Sequence, residues 1–373
     1  MFKVGVGSPR RKVMRLKRAS FSVLLSMLVL IAGCAATQMV AKRMVNTQPK
    51  VALKTKDYES PAKIVGGTAE KYTPVVSASG DADILSKFAP IVVQGVEPAD
   101  KATYAADSDR IGQAQLRTEG DGFAAVIDTQ NPALYTSVES VNVHGAQLTQ
   151  LVYVFWYPRH PVGMVDKGDI DGGVLRVTLD SQLRPAVYEY VMACGCWHGV
   201  FVSENVEAWA QQEFKNAKEA GRTYCVEKNV ENADDWKVRD LVKGSGRPVV
   251  FISAGKHQCL AIQTENVVAG LDSLPSKQIA LRAYAELEHV PVVGGASGQT
   301  ASMFNPDGLV WGGRRKGEEK MFSKLDHGGW PRRLNAMKIH WDQEAFNDDG
   351  LLDKFMRMPA QLTGGPVFSS APR

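Results

Sequence analysis

The sequence predicts an α+β fold: a mainly antiparallel β-sheet with one or two packing helices and a glycine-rich, loop-rich C-terminal part. Three observations lead there. The middle of the chain carries six short β-branched and aromatic runs, each punctuated by Gly, Pro, Asp or Asn. One apolar stripe at helical spacing interrupts them. After residue 291 periodicity gives way to Gly-rich stretches such as "GGASGQTASMFNPDGLVWGGRRKG".

In chain order the predicted strands are "FAAVID" (123–128), "QLVYVFWYP" (150–158), "VLRVTLD" (174–180), "AVYEYVMACGCWHGVFV" (186–202), "TYCVEK" (223–228) and "PVVFISA" (248–254). The helix is "ENVEAWAQQEFKNAKEA" (204–220). Its Val206, Trp209, Ala210, Phe214 and Ala217 share one face, Ser203 can cap its start, and Gly221 can end it. A second helix is expected at "SKQIALRAYAELEH" (276–289), which is rich in helix formers. The long loops beyond 291 are of the kind that carry function or lie against a partner.

The first 33 residues stand apart. Seven Lys or Arg residues and no acid precede "FSVLLSMLVLIA" (Phe21–Ala32). This apolar run falls short of the roughly 20 residues a spanning helix needs. A basic start, a short apolar run and small residues at its end make a secretory signal. The closing Ile31-Ala32-Gly33-Cys34 resembles the lipobox of bacterial lipoproteins. That resemblance implies a diacylglycerol thioether on Cys34, which becomes the new N-terminus. It also implies that Ala35, in place of Asp, directs the protein to the periplasmic face of an outer membrane.

The expected organisation follows. Residues 1–33 are a signal peptide and 34–80 a polar, flexible tether. Residues 81–291 form the globular domain, and 292–373 a loop-rich region packed on the same globule. Loss of the seven basic signal residues takes the formal net charge from +4 to −3. No basic patch with interleaved aromatics remains, so nucleic acid is not an expected partner. The membrane, through the lipid, and an envelope protein are.

Residues 193–200, "ACGCWHGV", place Cys194, Cys196 and His198 at alternate positions. Along a strand such positions share a face. His257 and Cys259 in "GKHQC" repeat the spacing. If the two segments are neighbours, five soft or borderline ligands converge, a set suited to Zn or Cu. The pattern is not the Cys-x-x-Cys-His of haem attachment, so a c-type haem is excluded. An oxidising compartment favours a different outcome, in which Cys194, Cys196, Cys225 and Cys259 form two disulfides. A third is a thiol nucleophile or redox pair using Cys194 or Cys196 with His198 as base. The histidines favour a metal or a thiol; the even cysteine count favours disulfides.

Other candidates have plainer roles. Asp166, Asp169 and Asp171 in "VDKGDIDGG" carry oxygen ligands of the kind Ca²⁺ takes, but Lys167 interrupts the series and a β-turn explains it better. His160 in "WYPRHP" reads as a loop residue, and Met356 and Met358 in "FMRMP" as packing. Most of the tryptophans stand near Gly, Pro or Asp, where they can line a groove or fill a core. No nucleotide-binding motif occurs. The reading is a lipid-anchored envelope protein that binds or supports a partner and has a site suited to a transition metal. An envelope enzyme with a Cys–His thiol and a disulfide-braced scaffold are the alternatives.

Overall fold

The computed structural model describes residues 65, 68–75, 84–96, 107–159, 170–192, 197–231, 233–306, 310–311, 338–339, 344–345 and 348–365. Seventeen strands are found among them: β1 (Thr68–Pro74), β2 (Ile91–Val96), β3 (Gln113–Glu119), β4 (Gly122–Asp128), β5 (Ala133–Val143), β6 (Ala146–Tyr157), β7 (Asp171–Leu179), β8 (Pro185–Met192), β9 (His198–Ser203), β10 (Val238–Val242), β11 (Pro248–Ile252), β12 (Cys259–Thr264), β13 (Ser276–Ala283), β14 (Val290–Val293), β15 (Thr300–Ala301), β16 (Lys338–Ile339) and β17 (Glu344–Ala345). The α-helices among the described residues are α1 (Ile84–Phe88), α2 (Glu204–Glu213) and α3 (Leu351–Phe355). None is long and apolar enough to cross a membrane.

The fold is therefore mainly β, and the expected α+β class is overturned. Eleven strands form one sheet in the order β10-β9-β8-β7-β6-β5-β13-β1-β2-β11-β12. Its two outermost strands, β10 and β12, come back beside each other, so the sheet curls into a nearly closed barrel. Strands β5 to β9 run as an antiparallel meander. The later strand β13 inserts between β5 and β1, parallel to both. A four-stranded sheet, β15-β14-β3-β4, is separate from the barrel sheet.

The expected helix over 276–289 is where local propensity fails. Residues 276–283 are β13 and 284–289 a 3-10 turn. Its Ala, Leu, Lys and Gln suit a helix, but pairing along both edges outweighs that preference. Only Ile279 of the strand is buried, which is why no period-2 pattern announces it. Helix α2 starts as its sequence indicates, with Ser203 Oγ accepting the Val206 amide at 3.4 Å. It stops at Glu213, short of 220, because Lys215 and Asn216 take left-handed backbone (φ 55° and 58°). The C-terminal segment docks at this break: the Arg357 guanidinium lies over the Phe214 ring, and Glu213 accepts the Ala360 amide at 2.7 Å.

"TYCVEK" is not a strand. Its amides are taken by carboxylates in place of a ladder: Glu207 accepts Cys225 and Val226 N–H, and Glu227 accepts those of Thr223, Tyr224 and Val238. Residues 68–74, expected in the tether, form β1 inside the barrel wall.

The alternation of side chains across the wall makes one inner core and two outer clusters, the smaller outer one built on Ala69, Val93, Val249 and Phe251. Inward-facing residues form a single apolar cluster to which all eleven strands contribute. Tyr72, Tyr153, Tyr188 and Phe201 bring rings from β1, β6, β8 and β9, and aliphatic side chains such as Val92, Leu175, Val250, Ile262 and Ile279 fill between them. Helix α1 crosses one end, with Phe88 in the cluster and the Leu85 carbonyl accepting the Tyr153 hydroxyl at 2.9 Å. Outward-facing Val152, Val174, Val187 and Val200 join a second cluster covered by α2, α3 and residues up to Leu362. A transmembrane barrel has the opposite polarity, with a polar interior and a bare apolar belt.

Candidate functional site

One cluster of buried polar groups lies at the end of the barrel opposite α1, around the turn that joins β11 to β12. The turn spans residues 253–258. Ser253 N–H bonds the Gln258 carbonyl at 2.9 Å, and Gly255 and His257 both have positive φ (70° and 52°). Left-handed backbone suits Gly and strains His by about 1–3 kcal/mol, so the surroundings must hold His257 in place.

They do so on every side. His257 Nδ1 lies 2.7 Å from Asp171 Oδ2 and Nε2 3.0 Å from Asp109 Oδ1. Its ring stacks on Tyr157, with centroids 3.8 Å apart and planes inclined by 10°. Its carbonyl accepts the Tyr190 hydroxyl at 2.7 Å. Tyr157 in turn donates to Gln94 Oε1 at 2.6 Å, and Gln94 Nε2 donates to the Gly95 carbonyl. Asp109 Oδ1 also accepts Gly255 N–H at 2.7 Å. His257, Asp171 and Gln94 are fully buried, and Asp109 nearly so.

The electrostatics follow from the partners. Ionised carboxylates only accept, so a histidine facing one at each nitrogen holds both protons. Burial alone would push the His257 pKa down, but the hydrogen bonds from Asp109 and Asp171 and their charges outweigh it and raise it. Burial also drives the Tyr157 hydroxyl well above its ordinary range. The result is an imidazolium clamped by two acids, tying together the β11–β12 turn, the segment before β3 and the start of β7. Chemically it is a cross-link: a metal could bind His257 only by displacing Asp109 or Asp171, and a substrate would meet no vacant nitrogen. Glycine at 173 makes room for it, since a Cβ there would fall 2.3 Å from the Tyr190 hydroxyl.

The residues singled out from sequence are distributed as follows. His198 is on β9 but faces outward. It lies 3.6 Å from Glu189, edge-on to Trp236, and Glu189 pairs with Arg176 at 2.5 Å. Burial alone would raise the Glu189 pKa; Arg176 and His198 bring it below the usual value. His257 packs on the inward-facing Tyr157 and Tyr190, so the two histidines lie on opposite faces of the wall and do not converge. Cys259 is in the inner cluster and Cys225 in the outer one, each a free thiol. They do not pair with each other. Burial pushes both thiols up, away from the reactive thiolate.

Cys34, Cys194, Cys196, His160, Asp166 and Asp169 lie outside the described residues. Among those described, no group of three or more His, Cys, Asp or Glu side chains is arranged to hold a metal. Met356 and Met358 are both in the outer cluster.

Sequence reasoning picked out His257 as a ligand and Asp171 as part of a loop; it gave no role to Asp109, Gln94, Tyr157 or Tyr190. Nothing in "ADSDRIG" distinguishes Asp109 from a surface acid. The one signal available was "DGG" ahead of a strand, where adjacent glycines mark close approach of something bulky. Compared with known proteins, the chain matches no family profile, no curated sequence and no solved structure.

Proposed function

We propose that this is a lipid-anchored binding or structural protein of the cell envelope that meets its partner through rims and outer faces. The observation that carries this reading is the filled lumen. All eleven strands send side chains into one cluster, α1 crosses one end, and the Asp109–His257–Asp171 clasp occupies the other. Barrels that carry ligands or conduct solutes keep an interior cavity or channel. A barrel packed like this one is a rigid support.

The address rests on Ile31–Cys34. A diacylglycerol on Cys34 would hold the globule at a membrane, on the periplasmic face of the outer membrane, with an envelope protein as partner. In this reading zinc or copper has a place only through Cys194 and Cys196, because His198 and His257 face apart.

Photo-crosslinking in a diderm host tests the proposal. A photoreactive amino acid is placed singly at exposed apolar positions, Val138, Leu183, Leu260 and Val293. The expected result is a discrete membrane-fraction adduct from positions on one face only. Purified protein that retains a small molecule contacting Tyr153 or Phe201 would overturn it.

A further inference from the structure

We propose that the barrel opens reversibly along a single seam, between β10 and β12, and that Gln263 is its latch. Every other neighbouring pair in the eleven-stranded sheet is joined by a strand ladder, whereas β10 and β12 are adjacent without being paired as strands. What joins them is side-chain work. Gln263 Oε1 accepts Lys243 N–H at 3.0 Å, and Gln263 Nε2 donates to the Leu241 carbonyl at 2.9 Å. The side-chain amide thus stands in for a peptide group of a missing strand. Thr264 Oγ1 adds a bond to the Lys243 carbonyl at 2.6 Å.

Gln263 is fully buried, so its amide is a specific joint and not a surface contact. Ladder bonds cooperate along a strand; a few side-chain bonds at one end do not, and local opening takes the least supported boundary. The seam also borders the inner cluster, since β10 contributes Val242 and β12 contributes Cys259 and Ile262. Opening would bare the aromatic interior without breaking any strand pair.

Cys259 reports on this directly. It is buried in the native barrel and belongs to β12. The native full-length protein is treated with iodoacetamide across low denaturant concentrations, and alkylation is read at each cysteine by peptide mass spectrometry. Seam opening predicts that Cys259 alkylates with a shallow denaturant dependence, well below the slope of global unfolding. Gln263→Glu keeps the acceptor and loses the donor. It should speed Cys259 alkylation by about tenfold, leaving Cys225 unchanged. Should Cys259 in the wild type alkylate with the full denaturant slope of global unfolding, the seam does not open and the proposal fails. Equal acceleration of Cys225 and Cys259 in Gln263→Glu would likewise overturn the latch.

Discussion

At residue scale, His257 is held from several sides at once. Its left-handed backbone, stacked ring and paired carboxylates all depend on one another. Removing one partner of a buried ion pair costs about 3–5 kcal/mol, because the charge left behind is unsolvated. His257→Gln should therefore lower the unfolding free energy by roughly that amount, read from the denaturant midpoint. Its pH response has a definite sign. The folded pKa is raised above 6.5, so the folded state holds the proton more tightly than the unfolded chain. The stabilisation is complete below 6.5 and is lost as pH rises through the folded value. Wild type should weaken on that alkaline side relative to His257→Gln, and a constant difference between the two through that range would contradict a charged clasp. Gly173→Ala tests the same end by volume. A methyl group at 2.3 Å from the Tyr190 hydroxyl must displace that ring, with an expected loss of about 1–3 kcal/mol in thermal or chemical unfolding.

At the scale of elements, buried carboxylates replace ladders where the chain leaves the sheet. Glu207 on α2 accepts the amides of Cys225 and Val226 and is fully buried. Glu207→Ala should leave two buried donors unmet and cost about 2–4 kcal/mol, measured as a fall in midpoint. Its hydrogen-exchange signature would be specific, with loss of protection at Cys225 and Val226. This arrangement also explains what the sequence could convey. Leu151–Tyr157 is apolar on both faces and Val174–Leu179 on its inner face, and both runs are legible as strands because they are buried throughout. Strands β3 and β13 are half-exposed and polar; β3 is held by the adjacent β4 and the later β14, and β13 only by β5 and β1, far off in sequence. The stripe of α2 was legible; its early end was not, since it depends on Arg357 and Ala360 arriving from the C-terminus. At the candidate site His257 and Asp171 could be noticed one at a time. Their joining could not, because spacing of two residues speaks of a shared face only within one strand; likewise His198 faces outward on β9 while His257, in a turn, packs against the inner face.

At the scale of the whole molecule, the proposed anchoring is expected to be separable from folding. Residues 1–33 and Cys34, which carry the proposed signal and lipid, lie outside the described residues, and the barrel has its own core. Cys34→Ala should move the protein from the membrane to the soluble fraction, or stall its processing, with the thermal midpoint of the globule unchanged. Labelled palmitate still incorporated into that variant would rule out lipidation at Cys34.

The position of β13 sets an order of events for the growing chain. Before Ser276–Ala283 emerges, β5 to β10 and the group β1, β2, β11 and β12 are two half-walls with no ladder between them. The pairs Lys71–Ser276 and Ala133–Ala280 close the gap, and both join residues remote in sequence. Contacts of that kind form late, since loop closure opposes them until the partner arrives. Under the export route proposed, the N-terminal half-walls would cross the membrane first and wait with bare apolar edges. Such a chain would depend on a holding chaperone during translocation, and a truncation just before residue 276 should aggregate even though most of its strands are already present.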